Sequence, residues 1–231
     1  NGNTNSHYEL LIRMLDENGM IIPPGTFLRA AERYKLITPI DQWVVKNALS
    51  LLTAHPAFLK KIQFISINLS GPSLADESFL QFVTNQIKHS NIDGTKICFE
   101  ITETAAISNL FRAKKFISVL REFGCRFALD DFGSGLSSFG YLKNLSIDYL
   151  KIDGMFVKSI VDDPIDRAMV KSINEIGQVM GMKTIAEFVE NDAIRDILKE
   201  LGVNYAQGYG VAKPMPFDDL LKQTDRINRS G

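Results

Sequence analysis

The sequence predicts an α/β fold arranged as a parallel (β/α)8 barrel, and three observations predict it. Seven short apolar runs recur along the chain, each carrying near its end a residue able to ligate a metal or touch a substrate. Between most of them lies an amphipathic stretch long enough for a helix, so strand and helix alternate as a parallel sheet requires, whether closed into a barrel or doubly wound. Three of those stretches close on Gly124, Gly181 and Gly202, each followed directly by the next run. Glycine is the usual C-cap residue, and the repeated order of helix, glycine and strand describes βα units.

The runs are, in order, residues 7–13 with Glu9, 64–69 with Asn68, 97–101 with Glu100, 126–132 with Asp130 and Asp131, 148–153 with Lys151, 183–187 with Glu187, and 204–208 with Gln207. Seven strands are one short of a closed barrel. Residues 1–6 are polar and are expected to be disordered, leaving one domain over 7–231. Pro24 follows a turn at Pro23 and opens a helix whose apolar face includes Phe27, Ala30 and Ala31. A second helix is expected over 39–55, with Ile40, Trp43, Val44, Ala48, Leu51 and Leu52 as its inward stripe. On this reading Trp43 is a core residue. Further helices are expected over 76–90, 110–123, 164–180, 191–201 and 216–229.

A chain of 231 residues suits one barrel domain or at most two small ones, and one is favoured because nothing in it reads as a linker. Its net charge of -1 gives no bulk attraction to DNA, RNA or an anionic membrane, so any phosphate recognition must be local. No apolar run approaches the roughly 20 residues of a membrane span, and no direct membrane insertion is expected. Cys98 and Cys125 sit in or beside expected strands without metal-ligand spacing, which reads as two core thiols and a reducing, cytoplasmic compartment. That reading suits a soluble protein or the cytoplasmic part of a membrane-bound one. His7, His55 and His89 are scattered, form no zinc set or Ser-His pair, and read as surface residues. Gly133-Ser134-Gly135 lacks the spacing of a dinucleotide or P-loop motif.

Strand ends of a barrel converge on one face, where active sites are built. Glu9, Asn68, Glu100, Asp130 and Asp131 offer only oxygen donors, the set hard divalent cations such as Mg²⁺ or Mn²⁺ prefer. Neighbouring carboxylates at 130 and 131 normally point to opposite faces of a strand, but at a terminus that curls into a loop both can reach one site. Two ions about 3.5–4 Å apart can activate water and stabilise a phosphoryl centre. Lys151 offers a charge to hold a water or hydroxide, Glu187 can ligate metal or take a proton, and Gln207 can position a neighbour or a purine edge. Each has a plainer reading alone: a strand-end acid is often a helix N-cap, Lys151 can pair with Asp153, and Asn68 can make an Asx-turn. Their recurrence on successive runs favours a site.

These residues stand in ordered motifs: Glu9-Leu10-Leu11 with Arg13, Asn68-Leu69-Ser70, Glu100-Ile101-Thr102-Glu103, Asp130-Asp131-Phe132-Gly133, Lys151-Ile152-Asp153, and Gln207-Gly208-Tyr209 with Lys213-Pro214. With them the chain resembles, over nearly its whole length, the EAL domain of bacterial cyclic di-GMP phosphodiesterases. The resemblance implies a modified TIM barrel with one antiparallel strand that uses Mg²⁺ or Mn²⁺, two ions per site, to hydrolyse cyclic di-GMP to linear pGpG. It implies Glu9, Asn68, Glu100, Asp130, Asp131 and Glu187 as metal ligands, Lys151 on the nucleophilic water and Glu187 as candidate general base. Glu9, Leu10, Arg13, Asn68, Asp131, Lys151 and Gln207 would meet the nucleotide, Arg13 through a phosphate. Glu103 would support a regulatory loop from Phe132, Gly133 and Ser134 to Phe139 that couples metal binding to homodimerisation. Sensory or GGDEF-type domains are expected upstream.

Four departures from the family pattern stand out. Leu10 replaces the alanine of the signature, Ser134 and Leu136 replace a threonine and a tyrosine, and Phe188 stands where glycine is usual. The family's first, antiparallel strand, with its Gln-Pro-Ile-like segment, is expected to be missing before Glu9. The rival readings are a catalytically weak or inactive cyclic di-GMP receptor and a protein-docking module of the same family. Receptors usually lose an acid, and this chain keeps the set.

Overall fold

In a computed structural model of the chain, residues 6–134 and 139–227 are described. The expected position Leu136 and residues 1–5 lie outside them. The strands are β1 (His7–Leu10), β2 (Met14–Leu15), β3 (Ile21–Ile22), β4 (Phe64–Leu69), β5 (Ile97–Thr102), β6 (Arg126–Phe132), β7 (Tyr149–Ile152), β8 (Lys183–Ala186) and β9 (Tyr205–Ala206). The helices are α1 (Pro24–Arg33), α2 (Ile37–Ala54), α3 (Pro56–Lys61), α4 (Gly71–Ala75), α5 (Glu77–Ser90), α6 (Glu103–Ser108), α7 (Leu110–Arg121), α8 (Gly154–Val157), α9 (Pro164–Val179), α10 (Asp192–Glu200) and α11 (Phe217–Ile227). The chain forms two compact units, Asn1–Glu100 with Ser108–Arg126, and Ile101–Ile107 with Phe127–Gly231.

In the first unit the strands neighbour one another in the order β1, β4, β5, with β1 parallel to β4 and Glu9 level with Ser66. Buried on this unit's strands are Phe64, Ile65, Ile67, Ile97, Cys98 and Phe99, and α5 and α7 cover them with Phe79, Val83, Phe116 and Leu120. Near-continuous apolar strands are what a sheet covered on both faces demands. A hairpin of β2 and β3, unforeseen in the sequence, turns through Asp16-Glu17-Asn18-Gly19, where Asp16 Oδ1 accepts from the Asn18 and Met20 amides at 2.8 Å each.

The α2 stripe differs from expectation. Ile37, Asp41, Val45, Ala48, Leu49 and Leu52 are buried, and Trp43 is 58% exposed. The true stripe is rotated by about one residue because Asp41 belongs to it. Its buried carboxylate accepts hydrogen bonds from the Ser70 amide at 3.0 Å and the Ser70 hydroxyl at 2.6 Å. His7 also departs from a plain surface role: it is half-buried, with its ring stacked 5.0 Å from that of Phe64.

In the second unit the strand order is β6, β7, β8, β9, and each of those ladders is parallel. Its core includes Phe127, Leu129, Leu150, Ile152, Ile173 and Ile185. Asp163, with its side chain on the Ile165 amide at 2.7 Å, starts α9, and Pro164 follows at its first position. Gly124, Gly181 and Gly202 all take the left-handed φ that ends a helix, as expected. Both cysteines are buried, and burial pushes the Cys125 thiol up to about 12. Among the described residues no helix is long and apolar enough to cross a membrane.

Candidate active site

The end of β6 is irregular in the way the two adjacent aspartates require. Leu129 is level with Leu150 and Phe132 with Ile152, so Asp130 and Asp131 together face the single residue Lys151. Such a bulge re-aims side chains, and Asp131 completes it with a left-handed φ of 53°. Two neighbours that regular pleating would send to opposite faces can thus serve one place.

Lys151 is the buried cation of this place, 1% exposed. Its Nζ lies 3.0 Å from Asp130 Oδ1 and 3.0 Å from Glu187 Oε1. Its partners are therefore Asp130 and Glu187, while Asp153 is spent on capping α8 through the Met155 amide at 2.8 Å. Glu187 follows β8 directly, and its own amide donates to the Ile152 carbonyl at 3.2 Å. Asp130, Asp131 and Glu187 each present a carboxylate oxygen within 4.8 Å of the others. Three carboxylates this close with one ammonium leave excess negative charge, and an all-oxygen set suits Mg²⁺ or Mn²⁺ better than zinc. The residues present fit such a cation. Gln207, after β9, is held by its backbone: its amide donates to the Ala186 carbonyl at 2.8 Å and its carbonyl accepts from Val189 at 3.0 Å.

Glu103 lies beneath the start of the expected regulatory loop. It is buried, accepting from the Gly133 amide at 3.1 Å on one carboxylate oxygen and from the Tyr141 hydroxyl at 2.7 Å on the other. Burial, and then the Glu103 carboxylate, hold the Tyr141 phenol well above its usual range. Phe132 is fully buried, Gly133 has φ 99°, and the Ser134 hydroxyl donates to the Asp131 carbonyl at 2.8 Å.

In the first unit, Asn68 Nδ2 donates to Glu9 Oε1 at 2.6 Å. The Ser70 amide, which an Asx-turn at Asn68 would use, donates instead to Asp41 at 3.0 Å, and the Asn68 amide oxygen lies on the opposite side of its carboxamide from Glu9. Glu100 is buried on β5 at 2% exposure, and Leu10 is half-buried. The Arg13 guanidinium is exposed and donates to the Ile12 carbonyl at 2.9 Å.

One residue of the second unit was noted in the sequence only as a departure. Phe188 has φ 52°, a region costing an L-residue roughly 1–2 kcal/mol, and the residue as a whole is 51% exposed. Strain next to Glu187 is the signal that a pattern of residue types cannot carry.

Residues 1–214 match the family model of the EAL domain. The chain belongs to the EAL domain family. Among its relatives is the cyclic di-GMP phosphodiesterase PdeB of Shewanella oneidensis, 45% identical over 215 residues, which are 93% of this chain and 25% of that protein. Another is the cyclic di-GMP phosphodiesterase PdeF of Escherichia coli, 37% identical over 97% of this chain and 30% of its own length. The chain thus spans less than a third of either relative. Among solved structures, the PaMucR phosphodiesterase in complex with c-di-GMP is 31% identical with a TM-score of 0.86, over 92% of this chain and 86% of that one. The FimX EAL domain of Pseudomonas aeruginosa bound to c-di-GMP is 30% identical with a TM-score of 0.85, over 92% and 85%. The fold is accordingly the α/β, TIM-barrel-like fold of EAL domains.

Proposed function

We propose that this EAL domain hydrolyses cyclic di-GMP to linear pGpG with the help of Mg²⁺ or Mn²⁺. The observation that carries the reading is the cluster of Asp130, Asp131 and Glu187 around the buried Lys151 ammonium, since a pure receptor has no need to keep three carboxylates and a cation this close. Asp130, Asp131 and Glu187 would hold the metal. On the family's motif pattern Glu9, Asn68 and Glu100 are proposed as further oxygen donors, with two ions bound. When bound, the metal supplies a nucleophilic water at neutral pH and charge to oppose the phosphoryl oxygens.

The chain's own groups do the rest. A Glu187 carboxylate oxygen accepts the proton that the attacking water gives up as the new P–O bond forms. Lys151 Nζ donates to that water and keeps the oxygens of Asp130 and Glu187 pointed inward. The P–O bond to the 3′ oxygen of one ribose breaks, that oxygen takes a proton from solvent, and the phosphate stays on the other nucleoside as the 5′ end of pGpG. Arg13, exposed and carrying a fork of donors, is assigned to a phosphate of the nucleotide, and Gln207 to ordering the end of β9. A homodimer and upstream signalling domains belong to the same proposal, with a cytoplasmic setting.

Incubating cyclic di-GMP with the chain in Mg²⁺ or Mn²⁺ and separating the nucleotides tests the reading. Accumulating pGpG supports it. Nucleotide that binds and is recovered intact would instead establish the receptor.

A further inference from the structure

We infer that Phe188 is a positioning residue: its ring, seated on Gly154, holds the left-handed backbone that aims Glu187 at Lys151. The inference rests on the catalytic reading above for its kinetic consequence and on geometry alone for its contact.

The turn after β8 is fixed on both sides of residue 188. Glu187 donates its amide to Ile152, while Val189 donates to the Gln207 carbonyl at 3.0 Å and accepts from the Gly210 amide at 2.8 Å. Between these anchors the chain must take φ 52°. Glycine holds that conformation without steric cost, and an aromatic residue does not. The side chain therefore has to compensate, and its contacts show how. A Cβ built on Gly154 would lie 2.1 Å from Phe188 Cδ2, 2.6 Å from Cγ and 2.9 Å from Cβ, so the ring rests directly on the Gly154 backbone. Lys158 Nζ, one turn further along, stands 4.0 Å from the ring centroid. A cation over an aromatic ring attracts it and resists its departure. Gly154 is also two residues past Ile152, the acceptor of the Glu187 amide, so ring and backbone pin the same turn to the same stretch of chain. Phe188 and Gly154 thus form a steric pair: the ring fits only because residue 154 has no side chain.

The pair makes a prediction that neither a surface ring nor a simple core contact would make. Phe188→Ala keeps a strained L-residue and removes the anchor, so the backbone relaxes and Glu187 moves. Gly154→Ala pushes the ring off its seat with the same result. Phe188→Gly deletes the ring yet keeps φ 52° at no cost, and should rescue. Misplacing a catalytic group by about 1 Å can cost on the order of 10²-fold in rate.

The experiment is steady-state hydrolysis of cyclic di-GMP by the wild type, Phe188→Ala, Gly154→Ala, Phe188→Gly and the double variant Gly154→Ala/Phe188→Gly, with metal-free crystal structures of the wild type and Phe188→Ala beside it. Expected are kcat losses of about 10- to 10²-fold in the first two variants with KM little changed, and recovery in the two carrying glycine at 188. Equal defects in Phe188→Ala and Phe188→Gly, or a loss confined to KM, would overturn positioning and make the ring a contact for the nucleotide itself. If the wild type has no turnover, the proposed reaction fails separately. The structures then decide: retention of the left-handed turn and of the Lys151–Glu187 contact in Phe188→Ala refutes the inference, and their loss upholds it.

Discussion

The Lys151 ammonium lies 3.0 Å from Glu187 Oε1 while being itself only 1% exposed, so a full charge is buried against the residue assigned to accept a proton. The same nitrogen also holds Asp130 at 3.0 Å. A buried cation between two carboxylates is tolerable only as a set.

Removing the cation should therefore cost both fold and rate. Lys151→Met is expected to lower the unfolding free energy of the metal-free protein by about 3–5 kcal/mol, the usual result of leaving buried charges without their partner. Urea denaturation in EDTA measures it. Added Mn²⁺ should return part of the loss, because it takes over the neutralisation of Asp130 and Glu187.

Glu187→Gln keeps the size of the side chain and one oxygen but cannot accept the proton. Its kcat should fall by roughly 10²- to 10⁴-fold, the scale of general base catalysis. Cyclic di-GMP binding measured in Ca²⁺ should change far less. Equal losses of binding and turnover would make Glu187 purely a metal-holding residue.

Tyr141→Phe removes the hydroxyl that donates to buried Glu103 at 2.7 Å. A hydrogen bond to a charged group is worth about 1.5–3 kcal/mol, and thermal or urea unfolding should register a loss of that size. Glu103→Ala should cost more, since the Gly133 amide loses its acceptor as well.

Asp41 gives a pH prediction with a definite sign. Burial raises its pKa above the ordinary 3.8, more than the hydrogen bonds from Ser70 and Ser73 lower it, and Glu32 adds to the rise. The folded protein therefore binds this proton more tightly than the unfolded chain does. Its contribution to stability is fully present below the unfolded pKa and is lost as pH rises through the folded one. Asp41→Asn keeps an acceptor for Ser70 and removes the titration. The stability of the wild type relative to this variant should fall as pH rises from about 3.8. A difference that stays flat would contradict the assignment.

The strands and the acids at their ends were legible because both announce themselves by residue type: buried parallel strands are apolar, and polar residues at their ends have few other reasons to recur. What residue types do not announce is local backbone. That Asp130 and Asp131 both serve one site depends on a bulge opposite Lys151, which two adjacent aspartates suggest but do not specify. Apolar residues alone place the α2 stripe one residue off, because the buried carboxylate of Asp41 belongs to it and only the distant Ser70 explains its place inside. Phe188 read as a mere departure from a family pattern, since neither its left-handed φ nor its seat on Gly154 has a signature in sequence.

The central claim is that carboxylates around Lys151 hold a divalent cation for phosphodiester hydrolysis. Titrating Mn²⁺ into EDTA-stripped protein while following pGpG formed from cyclic di-GMP tests it most directly. The account predicts no product without the ion and a rate that saturates as Mn²⁺ binds. Product formation undiminished in EDTA, or saturated Mn²⁺ binding with bound nucleotide and no pGpG, would contradict it.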